Sequence, residues 1–218
     1  MALAAGAGAL LPRRPVAASE SPHGVLPFIV MQEGFGVTFL TEAIRRAPGT
    51  PSAQFLGVLK AANTTEFDHY RALRRIGARP QTLRYWIPDA AFGGGGAGLF
   101  ESIEKVETVE ISLYLVGVTA VHRDPRRFRS RLCAEALGAE HRVLARFARG
   151  ALGAPIGPPN NFGFERYHQR SAAAAKQALQ ALGIGYGKKG AAPGKFYEYP
   201  GNPFANGTSA PVSSRVPR

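Results

Sequence analysis

The sequence predicts an all-α protein: a four-helix bundle with a long crossover between its second and third helices, followed by a short fifth helix. Three observations lead there. Four long segments carry apolar residues at alternating three- and four-residue spacings, the period of one helix face. Short turn signals, APGT at 47–50 and HRDP at 122–125, join the first segment to the second and the third to the fourth. Between the second and third lies a Pro- and Gly-rich stretch, 77–98, too long for a tight helix–helix turn.

The first helix is expected from about Gly24 to Arg46, with a stripe of Leu26, Ile29/Val30, Glu33, Val37, Leu40 and Ile44. Thr50 and Pro51 form a favoured start pair for the second helix, which runs to about Ile76 and stops at Gly77. The crossover carries Pro80, Pro88 and the run GGGG, with Leu83, Tyr85 and Ile87 spaced to lie extended against the helices. The third helix covers about Leu99 to Val121. Asp124 and Pro125 then open the fourth, which ends near Gly150. The fifth is expected over Phe164 to Leu182, after the loop GAPIGPPNNFG. Residues 184–218, rich in Gly, Pro, Ser and Lys, read as an extended or disordered tail. Residues 1–22 read as a leader. Ala2 to Leu11 is apolar and Val16-Ala17-Ala18 offers the small residues of a signal-peptidase site, but Arg13 and Arg14 follow the apolar run where a signal has its basic residues first. An exported or envelope protein is the expectation from that pattern, with a cytoplasmic one as the alternative. The folded domain is placed at 23–183.

The 27 Lys+Arg against 15 Asp+Glu give a formal net charge of +12, which permits an anionic partner. The basic residues are scattered and nowhere interleave with aromatics, so a nucleic-acid platform is not expected. The single cysteine, Cys133, excludes an intrachain disulfide framework and any CxxC metal site. GGGGAG lacks a following GK[ST], so it is no phosphate loop. No run is expected to reach the length of a membrane-spanning helix. Oligomeric state has no sequence signal.

The chemistry lies in polar residues set into apolar stripes. In the second helix the face reads Phe55, Leu59, Ala62, Glu66, His69, Leu73, Ile76, and Glu66 and His69 sit at its middle. A lone buried carboxylate is costly and needs a partner. Glu33 occupies the same slot in the first helix, while Gln32 falls off the stripe. In the third, Phe100, Ile103, Glu107, Ile111, Tyr114 and Val118 place Glu107 centrally, with Glu110 on a neighbouring stripe as the alternative inward residue. In the fourth, Ala134, Leu137/Gly138, His141, Leu144 and Ala148 centre His141. Carboxylates and imidazoles converging on a bundle axis are a ligand set for iron or manganese, as one or two ions.

The segments FIVMQEGFGVTFLTEAI, TTEFDHYRAL, VETVEISLYLVG, AEALGAEHRVLARF and FERYHQRSAAAAKQALQALGIG together resemble the ferritin-like superfamily, in particular its secreted bacterial branch related to desiccation-related proteins. The resemblance covers about residues 24–183. It implies a ferritin-like bundle and a metal set of Glu33, Glu66, His69, Glu107 and His141, with stress-related, oxidase-type chemistry as its active form. It also implies a sixth ligand, the Glu of a second E-x-x-H, where this chain has Gly138; Glu140 is its nearest substitute. The gap leaves a second reading open, a non-catalytic scaffold with a degenerate site. A third, a DNA-coating protein, is disfavoured by the scattered charge.

Overall fold

The structure, a computed structural model, describes residues 22–121, 138–156 and 168–212. Within them it is mainly helical: α1 Pro22–Arg46, α2 Leu56–Arg75, α3 Ala97–Val121, α4 Gly138–Ala151 and α5 Ala172–Ala181. The expectation of an all-α chain needs one correction. Three short strands, β1 Arg84–Pro88, β2 Gly185–Tyr186 and β3 Gly194–Glu198, form an antiparallel sheet in the order β2-β1-β3. The leader, Cys133 and the first part of the expected fourth helix lie outside the described residues.

α1 is enclosed. Val25, Ile29, Val30, Met31 and Val37 are all fully buried, and so is Gln32. The helix packs against α2, α3, α5 and β1, so nearly every side chain on it meets protein. That corrects the placing of Gln32 outside the core: a helix surrounded on all sides has no solvent face for periodicity to reveal. The same enclosure explains why Gly24–Arg46, with a mean hydropathy of 1.3, is long and apolar enough to cross a membrane, against the expectation that no run would be. Its most apolar window is 83% buried inside the protein, as for a core helix.

α1 and α2 run antiparallel. Contacts pair Thr41 with Asn63, Gly36 with Glu66 and Glu33 with His69, descending on one helix as they rise on the other. Between them Thr50 does not cap as expected. Its hydroxyl donates to Ala47 O at 2.7 Å, and Pro51–Phe55 forms a 3-10 turn before α2 begins. α2 stops in a Schellman arrangement, Ala78 N to Leu73 O at 3.1 Å and Gly77 N to Arg74 O at 3.1 Å. α3 and α4 are also antiparallel. Glu104 takes Arg146 Nε at 2.9 Å and Arg149 Nη1 at 2.7 Å, one turn and more beyond the Glu107–His141 contact.

The crossover is ordered by alternation. Tyr85 and Ile87 of β1 are fully buried against the helices, and the Tyr85 hydroxyl donates to Met31 O at 3.0 Å. Trp86, on the other face, packs edge-on against Phe196 of β3, its register partner. The 3-10 segment Asp89–Gly95 then uses the glycine run to turn into α3. At Gly93, φ is 51°, and a Cβ would stand 2.3 Å from Leu99 N, so no side chain fits.

α5 starts later than expected, at Ala172, because Ser171 caps it and accepts from Ala174 N at 3.0 Å. The stretch after residue 183, expected as an extended or disordered tail, is extended but paired. β2 and β3 flank β1, and the chain then returns along α1 and α2. There Asn63 Nδ2 lies 3.0 Å from Thr208 O, and Thr64 Oγ1 donates to Ala210 O at 3.0 Å. Tyr186 enters an aromatic cluster with Phe28, Phe35 and Tyr85, so residues beyond the bundle complete its core.

Candidate metal centre

The five residues singled out in the sequence converge at mid-height of the helices. Glu33, Glu66 and Glu107 are buried, at 1%, 3% and 6% exposure. His141 Nδ1 lies 2.9 Å from Glu66 Oε1 and 3.4 Å from Glu107 Oε1, and His69 Nδ1 lies 3.4 Å from Glu33 Oε2. The two imidazoles face one another with centroids 6.5 Å apart. Two triads result, Glu33–Glu66–His69 and Glu66–Glu107–His141, and in each the ligand atoms lie within 4.8 Å of one another. Ligands of one divalent ion at metal–ligand lengths of about 2.1 Å stand about 3 to 4 Å apart, so each triad could hold an ion after a small contraction. Glu66 belongs to both. Its two oxygens make it the carboxylate able to join two positions.

Helix geometry supplies this arrangement. Glu66 and His69 are three residues apart and share a face of α2. α1 makes room for them with glycine. At Gly36 a Cβ would stand 2.8 Å from Glu66 Oε2, so the carboxylate lies where a side chain on α1 would be. The Tyr114 hydroxyl of α3 donates to Glu33 Oε1, leaving Oε2 to face His69. Tyr70, the other tyrosine near the site in sequence, turns away and packs on Tyr199, with centroids 4.9 Å apart.

The electrostatics are uneven. Burial pushes Glu66 up, but its hydrogen bond to His141 and the imidazolium charge outweigh that and bring it down to about 2. Burial pushes His141 down, yet the charges and hydrogen bonds of Glu107 and Glu66 hold it well above the usual histidine value. His69 goes the other way: burial lowers it, against the pull of Glu66. Without a cation, these directions favour a proton on His141, beside the carboxylates, and a neutral imidazole at His69. Glu107 is raised, mainly by burial.

The choice between Glu107 and Glu110 is answered by both being buried, Glu110 at 4%. They do different things. Glu107 meets His141, whereas Glu110 turns toward Gln32, whose side-chain oxygen accepts from the Tyr186 hydroxyl. Burial, then the nearby Glu107 and Glu66 charges, raise Glu110 well above the ordinary carboxylate value, which favours its neutral form. Glu140 is exposed, so it does not serve as the sixth ligand that the resemblance led us to expect at position 138. His168 is exposed as well. Gln32, Tyr186 and Glu110 were the members of this neighbourhood that sequence reasoning did not assemble. Tyr186 lies 79 residues beyond Glu107 in a stretch without helical periodicity, and only the pairing of β2 with β1 brings it there. No family model, no curated protein and no solved structure matches this chain.

Proposed function

We propose that this chain is a ferritin-like protein that binds iron or manganese in its helical core through Glu33, Glu66, His69, Glu107 and His141. The observation that carries the reading is the sharing of Glu66 by two buried carboxylate–histidine triads. The donor set, oxygen and imidazole nitrogen without thiolate, suits both metals. The signal-like leader adds an exported or envelope setting, with a stress-related role, to this reading.

The residues divide the work. Glu66 spans the two positions. Glu33 and His69 complete one, and Glu107 and His141 complete the other, where His141 must give up its proton to ligate. Tyr114 holds Glu33 in orientation, as outer-sphere hydrogen bonds do at metal sites. Bound iron or manganese would supply a change of oxidation state, the basis of an oxidase-type activity. The absent carboxylate at position 138 and the exposed Glu140 favour a second reading, a ferritin-like scaffold whose site has degenerated and which does not turn over.

Elemental analysis of untagged protein decides the first point. The wild type should carry iron or manganese in stoichiometric amount, and Glu66→Ala should lose both positions while His141→Ala loses one. Wild-type protein with a negligible metal content, and with a melting temperature that chelator does not change, would sink the metal reading. If metal binds but its oxidation state never cycles with peroxide or dioxygen, the scaffold reading stands.

A further inference from the structure

Glu110 and Gln32 carry buried polar atoms that the two triads leave unused. Glu110 follows Glu107 by one turn of α3, so the two share a side of that helix. Its carboxylate is in contact with that of Glu107 and lies within reach of the Glu66 and His141 charges. The residue is 4% exposed, and its Oε1 has no hydrogen-bond partner. Gln32 of α1, 1% exposed, stands beside it. The Tyr186 hydroxyl of β2 donates to Gln32 Oε1. That bond fixes which end of the amide is which, and leaves Nε2 as the end that Glu110 can use. Nε2 is buried and closes no hydrogen bond of its own. Two unsatisfied atoms side by side in a core are costly, and the usual remedy is a ligand between or beside them.

We propose that Glu110 supplies the carboxylate that position 138 lacks: it binds the ion at the Glu66–Glu107–His141 position through its free oxygen, and Gln32 and Tyr186 hold it there. This rests on the metal reading above and deepens it, since α3 then provides two carboxylates and α4 only its histidine. Charge favours the assignment. Two divalent ions bring four positive charges into the core, and Glu33, Glu66 and Glu107 answer with three negative ones. An ionised Glu110 is the fourth, so the loaded site is neutral, as a buried site must nearly be. Contact of Glu107 with Glu110 is unfavourable while both are anionic, and a cation beside both turns that repulsion into shared attraction. Behind the ligand, Gln32 offers its amide N–H to the second oxygen of Glu110, and Tyr186 keeps the amide from flipping. Tyr186 belongs to the strand after the bundle, so that strand reaches the metal position through two side chains.

Cobalt(II) serves as the probe, titrated calorimetrically and by visible absorbance into the metal-stripped full-length chain. Wild type should take up two ions. Glu110→Gln, which keeps the shape and removes the charge, should weaken one of the two by about tenfold or more and leave the other unchanged. The absorbance of the weakened ion should also change, because its coordination number falls. Tyr186→Phe keeps the ring in its aromatic cluster and removes only the hydroxyl; it should weaken the same ion by a smaller factor, about two- to fivefold. Glu140→Gln, at an exposed position, should change neither ion. Equal affinities and an identical cobalt spectrum in wild type and Glu110→Gln overturn the inference and leave the metal reading standing. Equal weakening of both ions overturns it too, since that marks a structural role. Should Glu110→Gln fail to fold, Tyr186→Phe decides: unchanged affinity at both positions overturns the inference. Folded wild type that takes up no cobalt, iron or manganese removes the metal reading, and this inference with it.

Discussion

His141 and Glu66 are two halves of one charge arrangement. His141 is raised well above the ordinary histidine value, and Glu66 is lowered to about 2. A raised histidine contributes stability that is complete below its unfolded value, near 6.5, and is lost as pH climbs through the folded one. Glu66 contributes above about 4.5 and loses that contribution only as the pH falls toward 2. Glu107 and Glu110, both raised, also lose stabilisation as pH rises. His69, lowered, costs stability only on the acid side of 6.5. The metal-free protein should therefore lose stability as the pH rises above 6.5, and a bound divalent ion, taking the place of the His141 proton, should flatten that decline. Thermal melts with and without manganese across this range test it; a chelated protein equally stable at both ends of the window would contradict the assigned protonation states. The five ligand-type residues were legible because each interrupts an apolar stripe at its centre. Glu110 and Gln32 were ambiguous because α1 and α3 are enclosed on several sides, and periodicity distinguishes core from solvent only where a helix has both.

At the scale of elements, α1 and α2 approach closely where α1 is smallest. Gly36 faces the Glu66 carboxylate, and at Gly34 a Cβ would stand 2.5 Å from the Tyr85 hydroxyl. Mid-helix glycine costs about 1 kcal/mol against alanine, so two of them in EGFG record a demand stronger than helix propensity. Gly36→Ala should reverse the usual gain from alanine and destabilise by about 1 to 3 kcal/mol, since the methyl group and the Glu66 side chain compete for one space. It should also weaken metal binding, because Glu66 is displaced from both triads; calorimetric titration alongside a urea melt measures the two together. Higher stability in Gly36→Ala with unchanged metal affinity would show that Glu66 has room to move. The helices were readable from spacing and turn residues, apart from their starts, where Thr50 turns back to Ala47 and Ser171 caps α5 late. The strands were not readable as a sheet, because RYWIP and GKFYE are short and their partners lie about a hundred residues away.

At the largest scale, the described part of the bundle and the segment that follows it share one core. Residues 185–212 supply Tyr186 to the core, two strands to β1, and the Thr208 and Ala210 contacts to Asn63 and Thr64. Asn63 is fully buried, so Asn63→Ala leaves Thr208 O without a donor it now has. The expected loss is about 1 to 3 kcal/mol, the usual penalty for stranding a buried polar group. Limited proteolysis should then cut within 199–212 before it cuts the helices. Unchanged protease resistance would mean that the strands alone hold this segment. The order of synthesis gives the sheet a consequence of its own. β1 is the central strand, yet both neighbours come from residues 185–198, after every helix described. During translation β1 therefore waits with two open edges, each able to pair with a stranger, while the helices on either side of it are already made. The two-residue β2, the five-residue β3 and the proline closing β1 keep those waiting edges short. The step that ends this exposure is long-range strand pairing, so arrival of the last segment, rather than helix formation, sets the pace at which the nascent chain becomes safe from aggregation.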